Sequence, residues 1–201
     1  SGGPVGRLPN GEFFARTAQG VVKALEAVTE EGYAFRVDLR LRPEGKVGPL
    51  VLSLDGYRSY YAERAEFWER QALIKARPSA GDPRVGKAFL ELVRPYVYRP
   101  GVEPEIVRSI RAMKRAIDRQ LRRGGRETQN VKLGSGGIRE IEFLIQALQL
   151  LYGGDDPWLR EPNTLRAIFR LTEHGYLAPA LGRALGRAYR FLRAVEHRLQ
   201  I

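Results

Sequence analysis

Cysteine is absent from the 201 residues, and histidine occurs only twice, as His174 and His197. A disulfide framework is therefore excluded, as is any zinc site built on thiolates. Two histidines are also too few for a histidine-rich metal centre. No uninterrupted apolar run approaches the roughly 20 residues of a membrane span, and residues 1–11 lack the apolar core of a signal peptide. Negative charge is scarce: 23 Asp plus Glu stand against 34 Lys plus Arg, a formal net charge of +11. Low-complexity tracts and repeats of solenoid period are missing too. What is present is 43% hydrophobic, ample for a buried core. The length suits one domain of good size, or one domain plus part of another. The expectation is a soluble cytoplasmic chain with a positive surface. Only six of its basic residues are Lys. The Arg excess suits bidentate phosphate recognition, and equally a solvated helix surface.

Residues 33–42 carry the clearest strand pattern. Tyr33, Phe35, Val37, Leu39 and Leu41 alternate with Ala34, Arg36, Asp38, Arg40 and Arg42, so a strand would place the charges on one face. Pro43 stops it, and residues 49–53 form a short second extended segment. The remainder reads as helical. One helix starts near Asn10 and ends by Gly32; another starts at Ser53 or Asp55; a third covers 67–76. Asp82 caps a helix with Pro83 in its first position. Residues 103–123 form a long helix striped by Ile106, Ile110, Met113, Ile117 and Leu121. Helices follow over 138–152, from Asn163 or Thr164 to Gly175, and from near residue 178 onward. Leu181, Leu185, Ala188, Leu192, Val195 and Leu199 stripe the last one to its final turn, the pattern of a fragment. The fold class is mainly α (α+β): one edge of a sheet followed by a helical bundle.

Three features could carry chemistry. On the charged face of 33–42, Asp38 is a hard oxygen ligand of the kind Mg²⁺ takes, beside guanidiniums that suit phosphate. One Asp alone is no metal site, and exposed ion pairs on a solvated face are the plain alternative. The second feature is Lys132-Leu133-Gly134-Ser135-Gly136-Gly137, which feeds a helix N-terminus and so a possible anion site. It is neither a Walker A loop nor a dinucleotide fingerprint. Close packing explains the glycines as well, and a solvated helix face explains Arg139, Glu142, Gln146 and Gln149. Third, Glu69 and Arg77 lie near one helix face about two turns apart, with Lys75 nearby, which could be a surface ion-pair ladder. Trp68 is expected in the core. Both histidines read as structural.

Taken in order, Arg36-Val37-Asp38-Leu39-Arg40-Leu41-Arg42-Pro43, Gly48-Pro49-Leu50-Val51-Leu52-Ser53, Trp68-Glu69-Arg70-Gln71-Ala72-Leu73 with Lys75-Ala76-Arg77, and the stretch from Lys132 to Phe143 resemble the bifunctional glutamine synthetase adenylyltransferase/adenylyl-removing enzymes of bacteria. The stretch from Phe191 to Gln200 fits as well, so the likeness covers the chain from about Glu12 onward. The resemblance implies a polymerase-β-like nucleotidyltransferase fold, with residues 1–82 the C-terminal part of an incomplete nucleotidyltransferase domain and 83–201 a helical domain truncated at its C-terminus. Arg139-Glu140 looks more like the amino-terminal half, which phosphorolyses adenylyl-tyrosine on glutamine synthetase to release ADP. It implies Mg²⁺ as cofactor and Asp38 as the third metal-binding, catalytic carboxylate, its upstream Asp-x-Asp partners missing from this sequence. Arg40, Arg42, Lys132, Gly136 and Gly137 would bind phosphate or nucleotide, supported by Glu69, Arg77 and Glu142. The partners it implies are glutamine synthetase, a nitrogen-signalling PII protein, nucleotide and phosphate, with no membrane. Against it stands a basic helical module that binds nucleic acid or docks a protein without catalysis. Interleaved acidic residues and the lack of a recognition motif disfavour nucleic acid.

Overall fold

The computed structural model describes residues 8–101, 104, 106–108, 111, 112, 115, 131, 132, 134 and 136–199. Seven α-helices can be followed among them: α1 (Asn10–Glu26), α2 (Leu54–Glu63), α3 (Phe67–Ile74), α4 (Pro83–Val97), α5 (Ile138–Tyr152), α6 (Thr164–Glu173) and α7 (Pro179–Leu199). A short 3₁₀ helix, Pro157–Leu159, lies between α5 and α6. The helix expected over 103–123, and the glycines expected to end it, lie mostly outside the described residues; of its stripe, Ile106 is fully buried.

Helix starts follow local capping chemistry. The side chains of Ser53, Asp82 and Asn163 accept from Gly56, Arg84 and Arg166 N–H groups at α2, α4 and α6. Glu66 and Glu69 close a reciprocal capping box at α3. Asn10 is the first residue of α1 rather than its cap, a place taken by Pro9.

Two apolar clusters share α5. Tyr60, Tyr61, Ile74, Val93, Val97 and Ile106 pack with Leu150 and Leu151 of its last turn. Ile141 and Ile145 of its first turns pack with Leu159, Ala167, Ile168, Leu171 and Leu177. Burial of a side chain such as Leu150 or Ile145 contributes about 1.5–3 kcal/mol. Helix α5 thus joins the α2–α4 group to the α6–α7 group.

Three expectations are corrected. Residues 33–42 form no strand: their backbone runs through bends and turns, and Tyr33, Phe35 and Leu41 are exposed. A strand is a pairing between segments, and the described residues contain no second strand to pair with. Instead Phe35 N–H donates to Leu25 O and Val37 N–H to the Glu26 carboxylate, holding the segment against α1. Residues 49–53 likewise lead into α2 without pairing. Trp68 is 40% exposed, because Phe67 and Ile74 take the packed side of the short α3. In α7, Leu185 and Leu192 pack on the core while Leu181, Ala188 and Leu199 face solvent, so the single expected stripe divides into two faces.

Candidate functional site

Asp38 and Arg40 form an exposed pair. The Asp38 carboxylate accepts from Arg40 N–H at 2.9 Å and from Arg40 Nε and Nη2 at 2.8 and 2.5 Å. The Arg40 hydrogen bonds hold the Asp38 carboxyl well below the usual carboxylate range, so it is ionised and neutralised in place. Arg42 serves the loop itself. Its guanidinium donates to the carbonyls of Leu39, Lys46 and Gly48. The loop is tight: a Cβ on Gly48 would stand 2.0 Å from Pro43 O.

Arg42, Glu69 and Lys75 are brought around one cleft of about 280 Å³, whose other walls include Leu41, Tyr61, Trp68 and Leu73. Glu69 is buried and committed to the fold, since it accepts from Tyr60 OH at 2.9 Å and from Glu66 N–H at 2.9 Å. Burial pushes its carboxyl upward. Neighbouring Arg70, also buried, donates to Val97 O and ties α3 to the end of α4. Arg77 lies exposed beyond the end of α3, so the helix face it was expected to share with Glu69 does not extend that far.

Lys75 reaches the other way. Its Nζ donates to Pro162 O at 2.6 Å and Thr164 Oγ1 at 2.7 Å, at the start of α6. Loss of solvent around the ammonium lowers its pKa, and the nearby Glu142 carboxylate opposes that. Glu142 in turn accepts from Tyr189 OH of α7 at 2.7 Å. Lys132 stands 3.7 Å from Glu196 of α7, and Glu196 also pairs with Arg193. The structure thus places Lys75, Glu142 and Tyr189 in one polar seam between helices, with Lys132 of the turn before α5 close to Glu196, which Arg193 pairs on the neighbouring stretch of α7. Lys75 belongs to a motif the sequence already singles out. Tyr189 lies on the core-facing side of α7 and carries no pattern of its own.

Lys75→Met is expected to lower stability by about 1 kcal/mol, because it deletes two hydrogen bonds while keeping the apolar stem. Denaturant titration measures it. The depressed Lys75 pKa means that the unfolded chain holds a proton the folded chain has lost, between the folded value and the ordinary 10.5. This contribution therefore makes stability rise with pH in that window, and the slope is absent in the variant.

The glycine turn closes on itself. Gly136 has φ +71°, and its N–H donates to Glu140 Oε2 at 2.8 Å. Gly137 N–H donates to Gly134 O, Ile138 N–H to Val131 O and Arg139 N–H to Lys132 O. The N–H groups at the start of α5 that an anion would need already have acceptors, and the nearby cation Lys132 approaches Glu196. Mg²⁺ asks for several oxygen ligands. No group of three or more His, Asp or Glu among the described residues could hold a metal ion, and both Asp38 oxygens face Arg40. The described residues by themselves do not fit a Mg²⁺ site.

Comparison with known proteins gives two family matches. Residues 5–92 match glutamate-ammonia ligase adenylyltransferase, and residues 111–201 match GlnD PII-uridylyltransferase. Proteins named bifunctional glutamine synthetase adenylyltransferase/adenylyl-removing enzyme align along almost the whole chain. That of Pseudomonas putida is 46% identical over 96% of this chain and 20% of the relative. That of Xanthomonas campestris is 47% identical over 94% and 20%, and that of Idiomarina loihiensis 42% over 98% and 21%. The chain is homologous to one segment of these proteins. It spans about a fifth of the length of these curated relatives. Lys75, Glu142 and Tyr189 link the segment matched by the adenylyltransferase family to the segment matched by the uridylyltransferase family. Among the described residues, no helix is long and apolar enough to cross a membrane.

Proposed function

We propose that this chain is part of the adenylyl-removing half of such an enzyme, acting on adenylyl-tyrosine of glutamine synthetase with inorganic phosphate and releasing ADP. The observation that carries the reading is the turn from Lys132 into α5. Arg139-Glu140 is the form that resembles the removing half, and Glu140 is a working part of the turn, since its carboxylate accepts from Gly136 N–H. In this reading Lys132 and Arg40 are the cations nearest the phosphate, and each would exchange its carboxylate partner, Glu196 or Asp38, for that anion. Arg42 shapes the loop that carries Asp38 and Arg40, and the Lys75–Glu142–Tyr189 seam holds the helices that flank the cleft. Any Mg²⁺ in the longer protein would need carboxylates from outside the described residues in addition to Asp38. Glutamine synthetase is the proposed protein substrate, a PII protein a proposed second partner, and the cytoplasm the proposed location.

The test uses a protein of the relatives' length that carries this segment. ADP release from adenylylated glutamine synthetase should require phosphate, and Asp38→Asn should slow it by about 10²-fold or more. Adenylyl addition by the same protein should survive the substitution. Loss of addition with removal intact would assign the segment to the other half.

A further inference from the structure

Helix α7 has three faces where an ordinary surface helix has two. Leu185, Tyr189 and Leu192 pack inward, and Gly182 and Glu196 are buried on the same side. With 3.6 residues per turn, Leu181, Ala184, Ala188, Phe191, Val195 and Leu199 fall on an adjacent flank at spacings of three and four. That flank is largely open: Leu181 is 46%, Phe191 67% and Leu199 72% exposed, Ala184 and Ala188 are exposed as well, and Val195 is half-buried. The third face is basic, with Arg183, Arg187, Arg190 and Arg198 exposed and in no ion pair among the described residues. A continuous apolar seam beside a row of unpaired guanidiniums is the pattern of a helix that packs on two sides.

We infer that the outer seam of α7 docks a second amphipathic helix, supplied by the same polypeptide in proteins of the relatives' length, with an apolar stripe for the seam and acidic residues facing the arginines. Charge complementarity selects an acidic amphipathic helix, and the four fifths of the relatives' length outside this segment is the polypeptide that can supply it. A second copy of this chain, packed seam to seam, would bring two basic faces together, and like charges at an interface cost affinity. A nucleic acid would satisfy the arginines and leave Leu181, Phe191 and Leu199 in water. The alanines let a helix approach closely along the seam, with Phe191 as the large anchor. The inference rests on the likeness to these longer relatives and is independent of the phosphorolytic reading.

The absence of cysteine from this segment makes a direct test simple. Ala188→Cys puts one thiol in the middle of the seam, and Ser79→Cys puts one in an exposed loop as a reference. In the longer protein, peptide mass spectrometry should find residue 188 alkylated at least tenfold more slowly than residue 79. Equal rates overturn the inference. A photo-cross-linker on the 188 thiol should capture a segment of the same polypeptide with apolar residues at three- and four-residue spacing and flanking Asp or Glu. Capture of the same seam in a second copy, capture of a basic segment, or no capture at all overturns it. Reversal of Arg183, Arg187 and Arg190 to Glu should raise the 188 rate to that of residue 79. Protection that survives the reversal overturns the acidic character of the partner. The three arginines lie off the packed face, and unchanged circular dichroism of each variant shows that the helix itself is intact.

Discussion

Replacement of Glu69 by alanine is expected to lower folding stability by about 3 kcal/mol. Its carboxylate is 3% exposed and accepts from Tyr60 OH through both oxygens, at 2.9 and 3.1 Å, and from Glu66 N–H at 2.9 Å. Tyr60 OH itself accepts from Glu44 N–H at 3.0 Å. Removal of the carboxylate leaves a buried hydroxyl and a helix-cap N–H without their acceptor, and a void where the side chain was. Urea unfolding measures the loss; a value below about 1 kcal/mol would mean that water substitutes for the carboxylate. The effect should reach the site, because Tyr60 is the hinge between α3 and the loop at Glu44 that lies beside Arg42. Glu69→Gln separates charge from hydrogen bonding: it keeps an acceptor for Tyr60 and Glu66 and removes the charge. Burial raises the Glu69 pKa above its ordinary 4.5. Between those two values the folded chain holds a proton that the unfolded chain has released, so this contribution makes stability fall as pH rises, and the penalty is complete above the folded value. Stability of Glu69→Gln relative to the parent should therefore improve from pH 4 to pH 7. An opposite trend would mean that the hydrogen bonds, and not desolvation, dominate the titration of Glu69.

How much of this was legible in the sequence depends on how local each interaction is. Ser53, Asp82 and Asn163 were readable as helix starts because a cap joins a side chain to an N–H two or three residues away. Alternation over 33–42 misled for the opposite reason. It reports which faces a strand would have, and says nothing of whether a partner strand is there to accept its hydrogen bonds. The same limit hides the fate of charged groups. The resemblance implies Arg42 as a phosphate ligand, and only the structure shows that three loop carbonyls surround its guanidinium. Glu142 looked like part of a solvated stripe, and only the crossing of α7 reveals Tyr189 as its donor. Helical spacing alone also cannot separate two apolar faces on one helix, which is why the seam containing Phe191 was merged with the core stripe of α7. The motif residues fared best in combination: Lys75 and Glu142 come from stretches some 70 residues apart and meet in one seam, an arrangement that neither stretch announces alone.

The second large effect is expected at Gly137, where alanine should cost about 2–4 kcal/mol. A Cβ there would lie 2.7 Å from Gly134 O, 2.9 Å from Val131 O and 3.0 Å from Lys132 O. All three are backbone oxygens, and each is already an acceptor: from Gly137, Ile138 and Arg139 N–H, respectively. None can move aside without loosening a hydrogen bond that starts α5, so no flexible side chain is available to absorb the clash. The neighbouring Gly136 makes the comparison that tests this account. Its φ of +71° disfavours alanine, but nothing lies within 4 Å of a Cβ built there. Gly136→Ala should therefore cost only about 1 kcal/mol, the usual penalty of left-handed backbone for a residue with a Cβ. Asparagine, which tolerates that conformation, should cost less than alanine at 136 and at least as much at 137. Equal losses for alanine at the two positions would mean that backbone conformation, rather than close approach, governs the turn. Because this turn sets where Lys132 stands relative to Glu196 of α7, a Gly137→Ala protein that still folds should have the Lys132–Glu196 approach of 3.7 Å lengthened. Charge neutralisation at Lys132 should then cost less stability in that background than in the parent, a non-additivity that a double-mutant cycle reads directly.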